Sequence, residues 1–416
     1  MQKQLLMLST FMAAAGLAVG QAPAPLNLDI VATGATYDGL NAGGANGEFD
    51  GVSVRPDESR YYLFDSISTF DGVFASDGPT VVAKETAPPA GAFDLSAGSG
   101  SSSAGDMDSD TTNLYISTFN GSRNIIWRVP HAGPFTSAAE MVASASTVNL
   151  DEVSVDSKNI RLIMTYNDAF AAVASEDIVQ VALTATGATP TVLATETALE
   201  AALATVTGYG GDANDDINIY DHTVQSDGDI IASHGFMTSD LATPGRQVMG
   251  TLLRITETGT VSVFRTGDAI ITAAGGNPAT ADIGSVNVYT LQDNKILIHV
   301  NGATSGTGTL IQDEFIAVLS ADGTQQTMLA TDAQLTADPD VNTTIVPPHS
   351  GTGAATTIMH NGFRNGMDNK SGDVAADDDY YFYRQSQGGL AVGNAVLRLS
   401  GVRAFLSAGI GDWTMY

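Results

Sequence analysis

A short motif recurs along the chain, and its repetition constrains the fold more than any other feature of the sequence. Each copy has two or three apolar residues, then a small or basic residue, then a polar turn. The copies are IVATG (30–34), VVAKE (81–85), MVASA (141–145), VLATE (192–196), VFRTG (263–267), MLATD (328–332) and FLSAG (405–409). Their third residues lie 51 to 77 residues apart. Spacing on this scale indicates a chain built from consecutive similar units.

Between these copies the same order of elements returns. After VFRTG come four apolar runs, SVNVYTL, KILIHVN, EFIAVLS and TQQTMLA, with turns at 292–294 and 321–323. The preceding unit reads INIYDHTV, DIIASHG, TLLRITE and TVSVFRT, and the unit from Glu152 reads VSVDS, IRLIMTY, DIVQVALT and TPTVLAT. Alternating β-branched and aromatic residues between Asp-Gly or Asp-Asn turns predict four antiparallel strands in each unit.

Three further units follow this order less regularly. Their predicted strands are VSVRP, YYLFDS, GVFAS and TVVAK; then NLYISTF, IIWRVP and EMVAS; then YYFYRQS, AVLRLS and VRAFLS. The segment GSGSSSAGDMDS (98–109) is predicted to be a connection between two units. The one helix predicted is Glu196–Leu203 (ETALEAAL), on a surface loop.

Six four-stranded units favour one architecture. A single twisted sheet of four strands leaves both faces uncovered, whereas six sheets arranged radially cover one another. The sequence therefore predicts an all-β fold, a six-bladed β-propeller of four-stranded antiparallel blades. The alternative is a pair of tandem β-sandwiches, but the units are consecutive and no boundary separates two halves. Residues 21–416 are predicted to form this single domain.

The first 20 residues are predicted to be a signal peptide. Lys3 precedes an apolar run from Leu5 to Val19, and the small residues Ala18 and Gly20 suit cleavage after Gly20. About fifteen apolar residues are too few to span a bilayer. The chain contains no cysteine, so disulfides do not contribute to its stability. We predict a secreted, extracellular or cell-surface protein that does not insert into membranes.

The segment Leu28–Gly34 is one strand more than six complete units need. VRAFLS (402–407) already supplies the outer strand of the last unit, so both segments compete for the same edge. Leu28–Gly34 is therefore predicted either to extend the last blade as a fifth strand or to pair with an exposed edge of another copy. Edge pairing between copies is how β-augmentation builds polymers.

Charge excludes some partners and suggests others. The formal net charge is −29, from 46 acidic and 17 basic residues, which is the wrong sign for binding nucleic acid or anionic membranes. Two acidic segments are candidate calcium loops, since calcium takes six to eight oxygen ligands. Their ligands are Asp106, Asp108 and Asp110 in the first and Asp212, Asn214, Asp215 and Asp216 in the second. The alternative for both, and for Asp377–Asp379, is a solvated turn.

Catalytic motifs are absent from the sequence. There is no G-x-S-x-G turn, no phosphate-binding loop and no dinucleotide fingerprint. Of the six histidines, His222 and His360 fall in the first strand of their units, which lines the channel of a propeller. They are candidates to meet near the axis as metal ligands or to face channel water. The sequence thus predicts no enzyme activity.

One unit carries a resemblance. FRTGDA (264–269), the Gly-rich connection after it, LQDNKILIHV (291–300) and a following strand before an Asp-Gly turn resemble a bacterial repeat. The repeat belongs to exported propeller-like tandem-repeat proteins, many of which carry a C-terminal surface-sorting anchor. The match is best over 261–331, and no such anchor follows Ser407. The resemblance implies a fold and export, but no enzyme activity.

These observations lead to three functional hypotheses. The first is an exported structural or interaction protein that binds copies of itself through strand edges, as a surface filament or coat subunit. The second is a secreted module that binds polysaccharide or another extracellular ligand. The third is a propeller enzyme of the lyase or lactonase kind, which would need several histidine or acidic residues converging on the channel.

Overall fold

A computed structural model of the chain describes most of the predicted strands. The described residues are 26–33, 49–57, 61–65, 72–76, 80–84, 88–96, 103–120, 123–145, 149–167, 176–207, 209, 217, 219–235, 250–278, 283–302, 315–331, 372–384 and 395–408. The predicted signal peptide, the acidic segment Asp212–Asp216 and His360 lie outside them. No helix in the described part has the length and apolar character needed to cross a membrane.

The strands form six antiparallel sheets arranged in a ring, which confirms the prediction of a six-bladed β-propeller. Blade 1 contains β2 (Phe49–Val54), β3 (Tyr61–Asp65), β4 (Gly72–Ala75) and β5 (Thr80–Lys84), with β6 (Phe93–Asp94) parallel to β5. Blade 2 contains β7 (Ser103–Ser109), β8 (Asn113–Asn120), β9 (Arg123–Pro130) and β10 (Ala139–Ala145). Blade 3 contains β11 (Asn149–Asp156), β12 (Arg161–Asn167), β13 (Glu176–Ala182) and β14 (Thr191–Ala194).

The other three blades repeat this order. Blade 4 contains β15 (Ile219–Val224), β16 (Ile230–His234), β17 (Leu252–Ile255) and β18 (Val261–Arg265). Blade 5 contains β19 (Ile283–Thr290), β20 (Ile296–Gly302), β21 (Phe315–Leu319) and β22 (Gln326–Thr331). Blade 6 contains β23 (Gly372–Val374), β24 (Tyr380–Arg384), β25 (Ala395–Ser400) and, from the other end of the chain, β1 (Asn27–Thr33).

The ring closes by joining the two ends of the chain. Strand β1 runs antiparallel to β25, from the pair Asn27 and Ser400 to the pair Thr33 and Ala395. The side chain of Arg398 donates to Asp29 across this pairing at 3.0 Å. The N-terminal strand is thus the fourth strand of blade 6.

The prediction that VRAFLS is a strand was wrong. Val402–Ser407 is helix α3, which buries Val402 and Phe405 against blades 5 and 6. Two buried residues at a spacing of three suit one face of a helix rather than one face of a strand. The predicted competition for the outer edge therefore disappears, because the helix leaves that edge to β1.

The segment at 98–109 also differs from its prediction as a connection. Residues Ser103–Ser109 form β7, the innermost strand of blade 2, paired with β8. Glycine, serine and aspartate have low strand propensity, which hid this strand in the sequence. Met107 packs into the core between blades 1 and 2 and gives the strand its apolar contact.

Helices follow two of the outer strands. The predicted helix Glu196–Leu203 is confirmed as α1. Gly267–Ala273 forms a second helix, α2, in a segment that was predicted to be a polar connection. The hydroxyl oxygens of Thr195 and Thr266 accept hydrogen bonds from Ala198 and Ala269 and cap these helices. Each helix buries apolar residues against the seam between its own blade and a neighbouring one.

Burial follows the position of a strand in its blade. All five residues of β16 and of β21 are buried, because adjacent blades cover both faces of the middle strands. The outer strand β18 has no buried residue. The six innermost strands, β2, β7, β11, β15, β19 and β23, contact one another in sequence around the ring. They form the wall of a central channel.

Candidate functional site at the mouth of the central channel

The channel wall is held by carboxylates that alternate around the ring. Blades 2, 4 and 6 each present an aspartate from the innermost strand to a backbone N–H on the innermost strand of the next blade. The pairs are Asp108 with Val155 at 2.7 Å, Asp221 with Val288 at 2.8 Å, and Asp373 with Val54 at 2.7 Å. An innermost strand has no further strand to bind its inner edge, so these carboxylates satisfy N–H groups that would otherwise lack a partner.

Hydroxyl groups join the blades at two of the other seams. Between blades 1 and 2, Ser53 Oγ donates to Ser109 Oγ at 3.2 Å. Between blades 3 and 4, Ser154 Oγ donates to the carbonyl of His222 at 2.7 Å and lies 2.8 Å from His222 Nδ1. An aspartate of an innermost strand therefore crosses every second seam, and other carboxylates or hydroxyl groups cross the rest.

A cavity of about 560 Å³ opens where the innermost strands end and their first turns begin. Blades 2 to 6 all contribute to its wall. The polar or charged residues that line it are Asp108, Ser154, Ser157, Lys158, Thr223, Gln225, Ser226, Thr290 and Asp373, and the remaining ones are Val155, Val224, Tyr289 and Val374. Pockets that bind small ligands in proteins have volumes of this order. We call this cavity the channel mouth.

Two hydroxyls bridge blades 4 and 5 in the channel mouth. Thr223 Oγ1 donates to Thr290 Oγ1 at 3.1 Å and accepts from the backbone N–H of Thr290 at 3.1 Å. Both side chains are half-buried. Because each of these hydroxyl oxygens is fixed by the other blade, the pair presents a rigid polar edge to the cavity.

The two carboxylates of the channel mouth are each held by backbone groups. Asp108 accepts from Ser109 and Val155, and Asp373 accepts from Val374 and Val54, all at 2.7 Å. These backbone hydrogen bonds fix the position of each carboxylate at its seam.

One cation lies at the rim. Lys158 Nζ donates to Glu257 at 2.6 Å and also to the carbonyl of Asp227. The hydrogen bond between Lys158 and Glu257 raises the pKa of the lysine and lowers the pKa of the glutamate. The charged residues that line the cavity are thus Asp108, Asp373 and Lys158, and the charge of Lys158 is paired with Glu257.

The first predicted calcium segment is a strand and a turn instead of an open loop. Asp106 and Asp108 lie on β7, and Asp106 is buried and accepts from the N–H of Val153 at 2.8 Å. Asp110 accepts from the N–H groups of Thr112 and Asn113 and from the hydroxyl of Tyr115. Burial and the hydrogen bond to Asp110 raise the pKa of Tyr115. Within the described ranges, no group of three or more His, Cys, Asp or Glu side chains is arranged to hold a metal ion.

The other predicted site residues have separate locations. The second calcium segment, with Asp212, Asn214, Asp215 and Asp216, lies outside the described residues, as does His360. His222 lies on β15 as predicted, but it is fully buried in the seam against Ser154 and does not line the channel mouth. Among the predicted candidates that the structure describes, Asp108 alone lines the cavity.

Comparison with known proteins finds distant likenesses among solved structures. No family model and no curated protein sequence matches the chain. The chain is similar to TolB from Acinetobacter baumannii, with 10% identity and a TM-score of 0.40 over 69% of this chain and 55% of that one, so it spans about half of TolB. It is also similar to an oligogalacturonate lyase in complex with manganese, with 11% identity and a TM-score of 0.45 over 91% and 97%.

A third similar structure is the β-propeller domain of the Trilobed protease from Pyrococcus furiosus. The identity is 7% and the TM-score 0.41, over 85% of this chain and 82% of that domain. These similar structures are a TolB protein, a lyase and a protease domain. At such low identities the likeness concerns the fold.

Proposed function

We propose that this protein is an exported binding module that takes a small polar extracellular ligand in its channel mouth. The observation that carries the proposal is the cavity of about 560 Å³, to which five blades contribute polar side chains. The walls of the cavity are rigid because the side chains that line it also hold the blades together. A preorganised polar cavity loses less freedom on binding than a flexible one, which favours affinity.

Self-assembly through strand edges has less support than ligand binding. That hypothesis depended on Leu28–Gly34 having no edge in its own ring, whereas β1 pairs with β25 of the same chain along its length. Export itself remains a prediction from the N-terminal sequence.

The hydroxyl pair offers a direct test of the channel mouth. Thr223→Val and Thr290→Val together keep the side-chain shape and remove both hydroxyls from the cavity wall. The mature protein and the double variant are screened by thermal shift against neutral saccharides, amino acids and amines. We expect a ligand that raises the melting temperature of the mature protein and has little effect on the double variant.

The matched control is Thr191→Val, an exposed threonine on the outer strand β14. It makes the same chemical change far from the channel axis and should leave the ligand response intact. If every stabilising ligand acts equally on all three proteins, the ligand does not bind in the channel mouth and the proposal is wrong.

A further inference from the structure

Gln225 brings an unused acceptor to the channel mouth. Its side chain lines the cavity and is only 2% exposed. The amide is oriented by Nε2, which donates to the carbonyl of Asn294 at 2.8 Å. Its Oε1 is shielded from bulk solvent and has no hydrogen-bond partner in the described part of the chain. An unsatisfied buried acceptor is costly, so this oxygen favours a ligand that supplies a donor.

The hydroxyl of Thr290 brings a donor to the same wall. Thr290 Oγ1 accepts from Thr223 Oγ1 at 3.1 Å, so the hydroxyl proton of Thr290 points away from that bond. No acceptor for this proton is found among the residues that the structure describes. Thr223 and Gln225 are two residues apart and both bond to blade 5, through Thr290 and Asn294. The donor and the acceptor therefore lie on the same side of the cavity.

A neighbouring donor and acceptor select a ligand by its hydrogen-bonding capacity. A hydroxyl group can donate and accept, whereas an ammonium group only donates and an ionised carboxylate only accepts. Neither ion can therefore bond with both Gln225 Oε1 and the Thr290 hydroxyl. The cavity is also lined by three half-buried valines, Val155, Val224 and Val374, which can contact the C–H groups of a hydroxylated ligand.

We propose that the ligand of the channel mouth is a neutral saccharide, with one hydroxyl donating to Gln225 Oε1 and another accepting from the Thr290 hydroxyl. This inference rests on the proposed function, since it assigns a ligand class to the same cavity. The terminal torsion of glutamine is broad, so a modest rotation turns Oε1 toward the cavity that the side chain already lines. The carboxylates of Asp108 and Asp373 keep their seam contacts and are not needed for this recognition.

The experiment compares sugars that share a ring and differ in charge. The probes are glucose, galactose and mannose, each with its 2-amino and its uronic acid derivative, and acetamide as a probe without hydroxyls. Saturation-transfer difference NMR measures the dissociation constant of each probe for the mature protein. An ionic strength of about 0.15 M screens long-range attraction and repulsion by the acidic surface. We expect at least one neutral sugar to bind more tightly than its charged derivatives and than acetamide.

Gln225→Met removes the acceptor and keeps the length of the side chain. The matched control is Gln326→Met on β22. Gln326 has the same arrangement, with Nε2 donating to the carbonyl of Ile270 and Oε1 without a hydrogen-bond partner in the described ranges, but it lies outside the cavity. We expect the neutral sugar to bind roughly threefold to tenfold more weakly to Gln225→Met and equally well to Gln326→Met.

Thr290 gives a second, independent pair of variants. Thr290→Val removes the donor and should weaken the neutral sugar by a similar factor, whereas Thr290→Ser retains the hydroxyl and should bind like the unchanged protein. Circular dichroism and a thermal melt confirm that each variant is folded.

Other outcomes overturn the inference and separate it from the proposed function. A neutral sugar that binds equally well to Gln225→Met and Gln326→Met does not use this acceptor, and the inference is then wrong. An amino sugar, a uronic acid or acetamide may bind most tightly and lose affinity in the double variant Thr223→Val and Thr290→Val. That result leaves the binding module and removes the neutral saccharide. If no probe responds to any channel-mouth variant, both proposals fail.

Discussion

The aspartate contacts between blades make a quantitative prediction, which Asp221 tests best because it is fully buried and lies outside the channel mouth. Its carboxylate accepts from the N–H of Val288, which is also fully buried. Asp221→Ala leaves this N–H without its acceptor, and the loss of a hydrogen bond to a charged group costs about 1.5–3 kcal/mol. Asp221→Asn keeps an oxygen acceptor and should cost about half as much, since charge-assisted bonds are roughly twice as strong as neutral ones.

The size of the protein decides the assay. Scaled to this length, the average entropy of unfolding gives a shift of only ~1 °C in melting temperature per kcal/mol. Denaturant unfolding monitored by tryptophan fluorescence is therefore the better measure of the free energy of unfolding. Hydrogen exchange with mass spectrometry supplies a local readout, because β19 should exchange faster in the alanine variant.

Asp57→Ala serves as the control. This carboxylate is half-exposed and pairs with Arg55 at 3.1 Å, and surface ion pairs contribute about 0–1 kcal/mol. The reasoning is refuted if Asp221→Ala costs no more than Asp57→Ala, or if exchange from β19 does not change. Either result would mean that water from the channel replaces the carboxylate at no cost.

Three further predictions concern a seam, a cation and pH. Gly259→Ala should destabilise the protein by roughly 3 kcal/mol or more, because φ is +91° and the new Cβ would lie 2.1 Å from the carbonyl oxygen of Leu193. The control is Gly187→Ala, whose Cβ would meet no atom within 4 Å and which should cost about 1–2 kcal/mol. Chemical unfolding measures both. Calcium should raise the melting temperature through the second predicted acidic segment, Asp212–Asp216. Equal midpoints with calcium, with chelator and with magnesium at matched ionic strength would contradict this. Burial raises the pKa of Asp379 above 3.8. The protonated carboxyl therefore favours the folded state, and this contribution to stability is present at low pH and lost as pH rises through the raised pKa. Urea unfolding should therefore show that, relative to Asp379→Asn, the wild-type protein loses stability with rising pH in the window just above 3.8, and parallel curves would contradict this.

Most of the fold could be predicted because the strands repeat. Alternating apolar residues and Asp-Gly turns identified nearly every middle and outer strand, and the VLATE and VFRTG motifs mark outer strands whose threonines cap the helices that follow. The predictions that failed concern single segments, such as β7. Strand β7 is rich in Gly, Ser and Asp, and its stability comes from contacts of Asp106 and Asp108 with blade 3, which no local pattern reveals.

The candidate site was largely hidden for a related reason. The side chains of the channel mouth come from five blades. Each blade contributes one to four residues, and long stretches of chain separate one group from the next. One signal was present in the sequence: V-S-V at 52–54 and 153–155 matches V-N-V at 286–288, in alternate blades. Aligning these three with the aspartates of the intervening blades would have suggested that Asp108 is a seam residue.

The N-terminal strand gives the final prediction, because closure of the ring depends on it. Deleting residues 25–34 removes β1, including the partly buried Leu28 and Ile30 that pack on the core of blades 5 and 6. The deletion also exposes the edge of β25. We expect the truncated protein to melt much earlier, and a synthetic peptide of residues 26–34 to restore part of the lost stability by refilling the edge. Asp29→Ala, which breaks only the exposed ion pair with Arg398, is the control and should have little effect. A truncated protein that is as stable as the full one but no longer forms oligomers would show that the strand acts between copies. Unchanged stability and unchanged assembly would show that β1 is dispensable, which would contradict its role in closing the ring.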